Sequence, residues 1–375
     1  MKHAFWFLLA MFAVAGTAQQ SDTAPVRSQL ALAAAPISSI TETDGTQTGT
    51  AAPAPKPAAK QKTKPKDTKV TETKWPTVES SMVGYIDNAI VGTEVRVRFD
   101  AAFNDAFPDR AEFIYGKCGC YRSLPLSDPN YDPNAPGPGS GKPDQVNFQA
   151  LSFMGEYVPR GRGRFSAFFE IPIRWVQPQG SFVGTQYFSA GGIGDVIGGL
   201  KFALLASQRR YLTAQLKSYF PSGDARRGLG THHYSVEPSL LYYQRISDRF
   251  EIEGEVGGWL PTSGSAGAPT NSSQKFSGNV FFYGIGPSYR VIDHEQFKLA
   301  PVIELVGWTV TGGFQTGGKD APQPASADGT NIVNMKLGAR MAFREHNSVY
   351  VGYGRALTSA DWYNDILRVE YRYSF

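Results

Sequence analysis

Glu251, Glu253 and Glu255 take every second position of FEIEGEVGGWL (250–260), and Arg368, Glu370 and Arg372 do the same in the closing ILRVEYRYSF (366–375). Successive side chains on a strand point to opposite faces, so each set shares one face. A row of like charges on one wall can select polar solutes, or set up a field towards an opposite row. Other reactive types are sparse. His232, His233 and Ser235 in THHYSV hold the components of a nucleophile and its base, and 233 and 235 share a face, but no third group orients the imidazole. They read as polar residues at an interface; no catalytic residue is assigned and no enzyme is expected. Cys118 and Cys120 in KCGCY can close a local disulfide in an oxidising compartment, whereas two thiolates without a nearby His are too few for a metal. Asp128, Asp132 and Asp144 follow in a loop whose spacing fits no calcium-binding pattern. Neither metal nor cofactor is expected.

What must position these rows is a set of strands. Period-two runs are clearest in EVRVRFDAAF (94–103), RFSAFFEIPIRW (164–175), FEIEGEVGGWL (250–260), NMKLGARMAF (334–343) and ILRVEYRYSF (366–375). Weaker ones cover 145–158, 191–206, 210–220, 231–246, 276–291, 296–311 and 347–357. In the first run Val95, Val97, Phe99, Ala101 and Phe103 oppose Glu94, Arg96, Arg98 and Asp100. In the second, Phe165, Ala167, Phe169, Ile171, Ile173 and Trp175 oppose Arg164, Glu170 and Arg174. The total of twelve is even, and many runs exceed the roughly five or six residues of a soluble strand, as suits strands that each cross a bilayer in about 9–11 residues.

The connections give an independent test. PRGRG (159–163), SQR (207–209), SD (247–248), DHEQ (293–296) and EHN (345–347) are short, and they alternate with mostly longer connections rich in Gly, Pro, Ser and Asn. Bacterial outer-membrane barrels alternate in this way between periplasmic turns and external loops. The expected fold is all-β: a transmembrane antiparallel β-barrel of twelve strands within residues 75–375, in the cell outer membrane with both termini periplasmic. Aromatics near strand ends (Tyr115, Trp175, Trp259, Trp308, Tyr353, Trp362, Tyr373 and Phe375) are expected in girdles at the lipid interfaces.

The opening MKHAFWFLLAMFAVAGTAQQ joins Lys2 and His3 to an apolar run from Ala4 to Val14 and to small residues Gly16 and Ala18, the layout of an export signal spanning residues 1–18. Residues 19–74, rich in Ala, Thr, Pro and Lys, have too little apolar surface to offset the entropy of ordering, and a disordered periplasmic tether is expected. No later run reaches the roughly 18 apolar residues of a membrane helix. The formal net charge of +4 is not gathered into a basic cluster on any periodic element, which excludes a nucleic-acid partner.

GGIGDVIGGLKFALL (191–205), YFPSGDARRGLGTHHYSVEPSLLY (219–242) and GGWLPTSGS (257–265) come in that order. This G-x-G-D strand, Pro-Ser-Gly-Asp turn with a following Gly-Leu-Gly, and later Leu-Pro turn resemble the outer-membrane proteins of the MetA-pathway of phenol degradation family, mainly over residues 145–375. The resemblance implies an outer-membrane channel or transporter for small solutes, phenol-like compounds among them, without catalytic residues. The terminal Phe375 also resembles the C-terminal aromatic signature that barrel-assembly machinery reads, which implies that machinery as a partner during biogenesis.

In a ring of twelve strands the seventh lies opposite the first. Glu251, Glu253 and Glu255, flanked by Glu237 and Glu304, then face Arg96, Arg98, Arg164, Lys336, Arg340, Arg344, Arg368 and Arg372, with Glu370 among the cations. One wall is acidic and the other basic. Two arrangements stay open. The rows can bound a narrow pore with a transverse field, the preferred reading, or they can pair across the lumen and plug it, leaving a structural or surface-interaction barrel. A charged interior suits phenolates or aromatic acids better than neutral apolar cargo. The partners expected are outer-membrane lipid and a small-molecule solute.

Overall fold

The computed structural model describes residues 81–105, 126–127, 131, 145–160, 163–179, 189–262, 277–316, 324–344 and 346–375. The export signal, the tether, Tyr115, Cys118, Cys120, Asp128, Asp132 and Asp144 lie outside those residues. Twelve antiparallel strands follow one another around a ring: β1 (Glu94–Asp105), β2 (Gln145–Tyr157), β3 (Phe165–Gln179), β4 in two pieces (Ala190–Ile193 and Val196–Ala206), β5 (Arg210–Phe220), β6 (Ser235–Arg245), β7 (Phe250–Pro261), β8 (Asn279–Tyr289), β9 (Phe297–Thr311), β10 (Asn331–Phe343), β11 (Asn347–Ala356) and β12 (Asp365–Ser374). The three residues Ile292–His294 pair with the start of β9, and a short hairpin, Phe314–Thr316 with Pro324–Ser326, follows its end.

Closure is made by β1 on β12, with Glu94 opposite Ser374 and Phe103 opposite Asp365. A closed ring leaves no unpaired sheet edge, the condition for β structure in lipid. The short connections all lie at one end, where the chain also enters β1 and leaves β12. Several strands depart from the expected bounds: β3 runs on to Gln179, and β8 is shorter at both ends, Asn279–Tyr289. β4 is split at Gly194–Asp195, β10 starts three residues earlier than expected, at Asn331, and β6 starts at Ser235 because Thr231 is held in a neighbouring clasp.

The two faces are inverted relative to a soluble protein. Phe169 and Ile303 are each 52 % exposed, whereas Glu304 and Arg340 are 0 % and Glu253 is 1 % exposed. Water does not leave an apolar belt this continuous uncovered, and carboxylates and guanidinium groups are buried only with partners. Lipid outside and a polar interior satisfy both conditions.

Of the expected girdle residues, Trp175, Tyr353 and Phe375 are exposed, but Trp259 and Trp362 are buried and Trp308 is half-buried inside the ring. The reason is parity. Trp259 follows Glu255 by four positions and Trp308 follows Glu304 by four, so the alternation that turns those carboxylates inward turns the indoles inward too. Trp362, from the β11–β12 connection, packs on Trp308 with ring centres 4.6 Å apart.

Candidate functional site

An eight-stranded barrel is just filled by its own side chains, so twelve strands enclose space that something else must occupy. Here the chain itself does so. Residues 81–93, SMVGYIDNAIVGT, precede β1 and run inside the ring. Ser81 lies by Arg372, near the short-turn end; Tyr85 and Ile86 reach Glu304, near mid-strand; Ile90 and Val91 pack beside Tyr211 and Tyr243, back near the short turns. The segment thus enters and leaves at the same end and fills that half of the lumen.

Its backbone is satisfied by the two charged walls. On the acidic side, Glu253 accepts from the amide of Met82 at 3.0 Å, Glu255 from Asp87 at 3.0 Å, and Glu304 from Gly84, Tyr85 and Ile86 at 3.2, 2.8 and 2.8 Å. Three successive amides converging on one carboxylate form an anion nest. The Tyr350 hydroxyl donates to the same carboxylate at 3.0 Å. On the basic side, Arg372 donates to the carbonyl of Ser81 at 3.1 Å, Arg340 to Met82 and Val83 at 3.2 and 2.7 Å, and Arg368 to Gly84 at 2.8 Å. Lys201 and Thr213 take the carbonyls of Asn88 and Ala89 at 3.0 and 2.5 Å. The opposed rows read from the sequence are the two halves of a peptide-binding surface, one for N–H and one for C=O.

Apolar packing and a missing side chain complete the fit. Met82, Val83 and Ile86 pack on Ala300, Val302, Val306 and Tyr350; Ala89, Ile90 and Val91 pack on Ala203, Tyr211, Leu241 and Tyr243. A Cβ on Gly84 would lie 2.2 Å from the Tyr350 ring, and one on Gly286 would lie 2.7 Å from Val83. Both approaches need glycine.

Most of the remaining lumen charges pair with one another. Arg368 grips Asp100 at 2.6 and 2.9 Å across the β1–β12 seam; Arg98 meets Glu170 at 2.6 Å, Arg340 meets Glu370 at 2.9 Å and Arg96 meets Glu94 at 3.0 Å. Glu237 holds Lys217, which also reaches Asp87 of the segment at 2.5 Å. Glu251 is paired with Arg290. Arg164 and Arg344 do not line the lumen as expected: both are exposed in short turns, Arg164 just before β3 and Arg344 just after β10 with a left-handed φ of 57°. Parity holds only within a strand, and these two lie past its end. His233 Nδ1 and Ser235 Oγ are 3.0 Å apart, but both residues are buried and the His233 ring lies against Trp259.

Above the segment, the long-loop half of the lumen keeps a cavity of about 320 Å³. Tyr85 and Asp87 border it, with Phe148, Trp259, Phe282, Trp308 and Trp362 and the charged groups of Arg98, Lys217, Lys336 and Arg368 around them. One flank is built from the sequence motifs. Asp195 accepts from the amides of Gly223 and Thr231 at 3.0 and 2.7 Å and from the Thr231 hydroxyl at 2.8 Å, while Ser222 donates to the carbonyl of Gly194 at 2.8 Å. The G-x-G-D and Pro-Ser-Gly-Asp stretches are therefore two halves of a clasp.

The family model described as "Putative MetA-pathway of phenol degradation" matches residues 133–364. The chain belongs to that family. The match to the phenol degradation family takes in β2 to β11 and the Asp195 clasp, and leaves out the lumen segment, β1 and β12. No curated protein matches the chain. Among solved structures, an outer-membrane channel from Pseudomonas putida F1 is similar at 15 % identity and a TM-score of 0.46, over 76 % of this chain and 96 % of its own. The beta domain of the Bordetella autotransporter BrkA is similar at 14 % identity and 0.43, over 76 % and 100 %. The KdgM porin is similar at 8 % identity and 0.37, over 75 % and 99 %.

Proposed function

We propose that the protein is an outer-membrane channel for small polar or charged solutes, held closed at its short-turn end by residues 81–93. The observation that carries this reading is the way the segment is held. Among the described residues, each hydrogen bond from residues 81–92 to the wall has a side chain on at least one side, and no rung of the barrel depends on them. Withdrawal would leave the sheet whole and uncover facing rows of opposite charge, a lining that selects by charge and dipole. Short turns face the periplasm in barrels of this type, which supports a periplasmic position for both ends of the barrel domain. The buried His233–Ser235 pair, shut away from the lipid face, supports a role in packing rather than in lipid hydrolysis.

Deleting residues 81–92 is expected to convert a nearly silent protein in planar bilayers into one with steady open-channel current. A deletion variant that folds, judged by its heat-modifiable migration, yet stays silent would sink the channel reading and leave a structural barrel. Recognition by the assembly machinery has its own test. Phe375 is 71 % exposed and its amide donates to Thr93 at 2.9 Å. Removing it is expected to lower the amount of folded barrel in the outer membrane severalfold, and normal insertion would count against that role.

A further inference from the structure

The cations around the upper cavity are compensated in two different ways. Arg98, Lys217 and Arg368 each have carboxylate partners within 3.5 Å. Lys336, on β10 and 1 % exposed, has no carboxylate within ion-pair distance among the described residues. Its register partner across the β9–β10 ladder is Glu304, whose carboxylate is turned to the amides of Gly84, Tyr85 and Ile86. The Lys336 ammonium instead donates to the Tyr363 hydroxyl at 2.6 Å and lies 4.1 Å from the ring centre of Tyr85, 4.8 Å from Tyr363 and 5.9 Å from Trp308.

Ring faces stabilise a cation through their quadrupoles but give it no counter-charge. An ammonium has three donors, and one is used. Burial of such a charge without an anion in contact is costly, and the ammonium has donors free for a directly bound counter-ion. The same corner supplies an apolar receptor: Trp308 and Trp362 are tilted at 52° to each other, and Phe148 meets Tyr363 edge to face. The cavity of about 320 Å³ is at the lower end of the volumes that hold small ligands.

We propose that Lys336 and the rings of Trp308, Trp362 and Tyr363 form a binding site for a monocyclic aromatic carboxylate, its carboxylate on the ammonium and its ring among the indoles. This assignment deepens the channel reading and rests on it for its meaning: the site is where a solute waits above the closed segment. It is a binding claim, so it can be tested without flux.

The test is titration of the full-length protein in detergent with benzoate, read by tryptophan fluorescence and calorimetry, with acetate and benzyl alcohol as probes that keep only the charge or only the ring. Saturable benzoate binding is expected, with both control probes at least ~tenfold weaker. Lys336→Met is expected to weaken benzoate by at least ~tenfold and Lys336→Arg to restore part of the loss. Trp308→Leu, a second variant in case Lys336→Met fails to fold, is expected to weaken benzoate while leaving acetate unchanged. Benzoate binding that is absent, or unaltered in Lys336→Met and Trp308→Leu, would overturn the site. Loss of the site with current still released by deleting residues 81–92 would leave the channel standing. Benzoate binding with no current in that deletion would leave the site standing and remove the channel.

Discussion

Glu304→Ala is expected to release the lumen segment and to give the largest rise in open probability of any single lumen substitution. Its carboxylate is fully buried and receives the amides of Gly84, Tyr85 and Ile86 and the hydroxyl of Tyr350. Truncation removes the acceptor for all of them, and each buried donor left without a partner costs about 1–3 kcal/mol. The retracted state has no such cost, because water then reaches the amides. Glu304→Gln separates charge from shape: it keeps one acceptor oxygen and should give an intermediate current. Single-channel recording measures the effect, and protease cleavage within 81–92 reports the same release by another route. A silent and protease-resistant Glu304→Ala would remove Glu304 from its role as the latch.

Gly286→Val is expected to act in the same direction by exclusion. A Cβ there would fall 2.7 Å from Val83 Cγ1, 3.1 Å from Cγ of the latch Glu304 and 3.2 Å from Ile86 Cδ1, and valine adds two methyls beyond it. Overpacking of this kind costs about 1–3 kcal/mol where neighbours cannot move. The segment can move, since no rung of the ladder holds it, whereas β8 is fixed by pairing on both sides. The strain should therefore appear as opening and not as unfolding. The observable is an increased current at unchanged heat-modifiability; a destabilised barrel with no current would show that the segment is as firmly fixed as the wall.

Much of this architecture was legible because a closed barrel obeys a simple rule. Alternation at Glu251, Glu253 and Glu255 and at Arg368, Glu370 and Arg372 gave both the strands and the inward face, and the alternation of short and long connections gave the common end at which β1 begins and β12 finishes. The same rule, applied consistently, would have moved Trp259 and Trp308 from the lipid interface to the lumen. Arg164 and Arg344 were misplaced because a turn residue has no parity to inherit. The lumen segment was not legible by periodicity, since SMVGYIDNAIVGT belongs to no strand. Its trace was compositional: an apolar run with one charge, Asp87, between a polar tether and a charged barrel. The stronger clue was energetic. Two rows of opposite charge in an enclosed space need partners, and a backbone bent at residues 84–86 turns N–H groups to one row and C=O groups to the other.

The order in which the chain is made also bears on how it closes. The carbonyls of Ser81, Met82, Val83 and Gly84 are gripped by Arg372, Arg340 and Arg368, and the carbonyl of Thr93 by the amide of the last residue, Phe375. The Arg372 contact joins residues 291 positions apart, and contacts of such separation form late. Every guanidinium that seals the lumen lies on the final three strands. Glu253, Glu255, Lys201 and Thr213 on β4 to β7 can hold part of the segment before those strands are in place, and the grip on its first four carbonyls is added last.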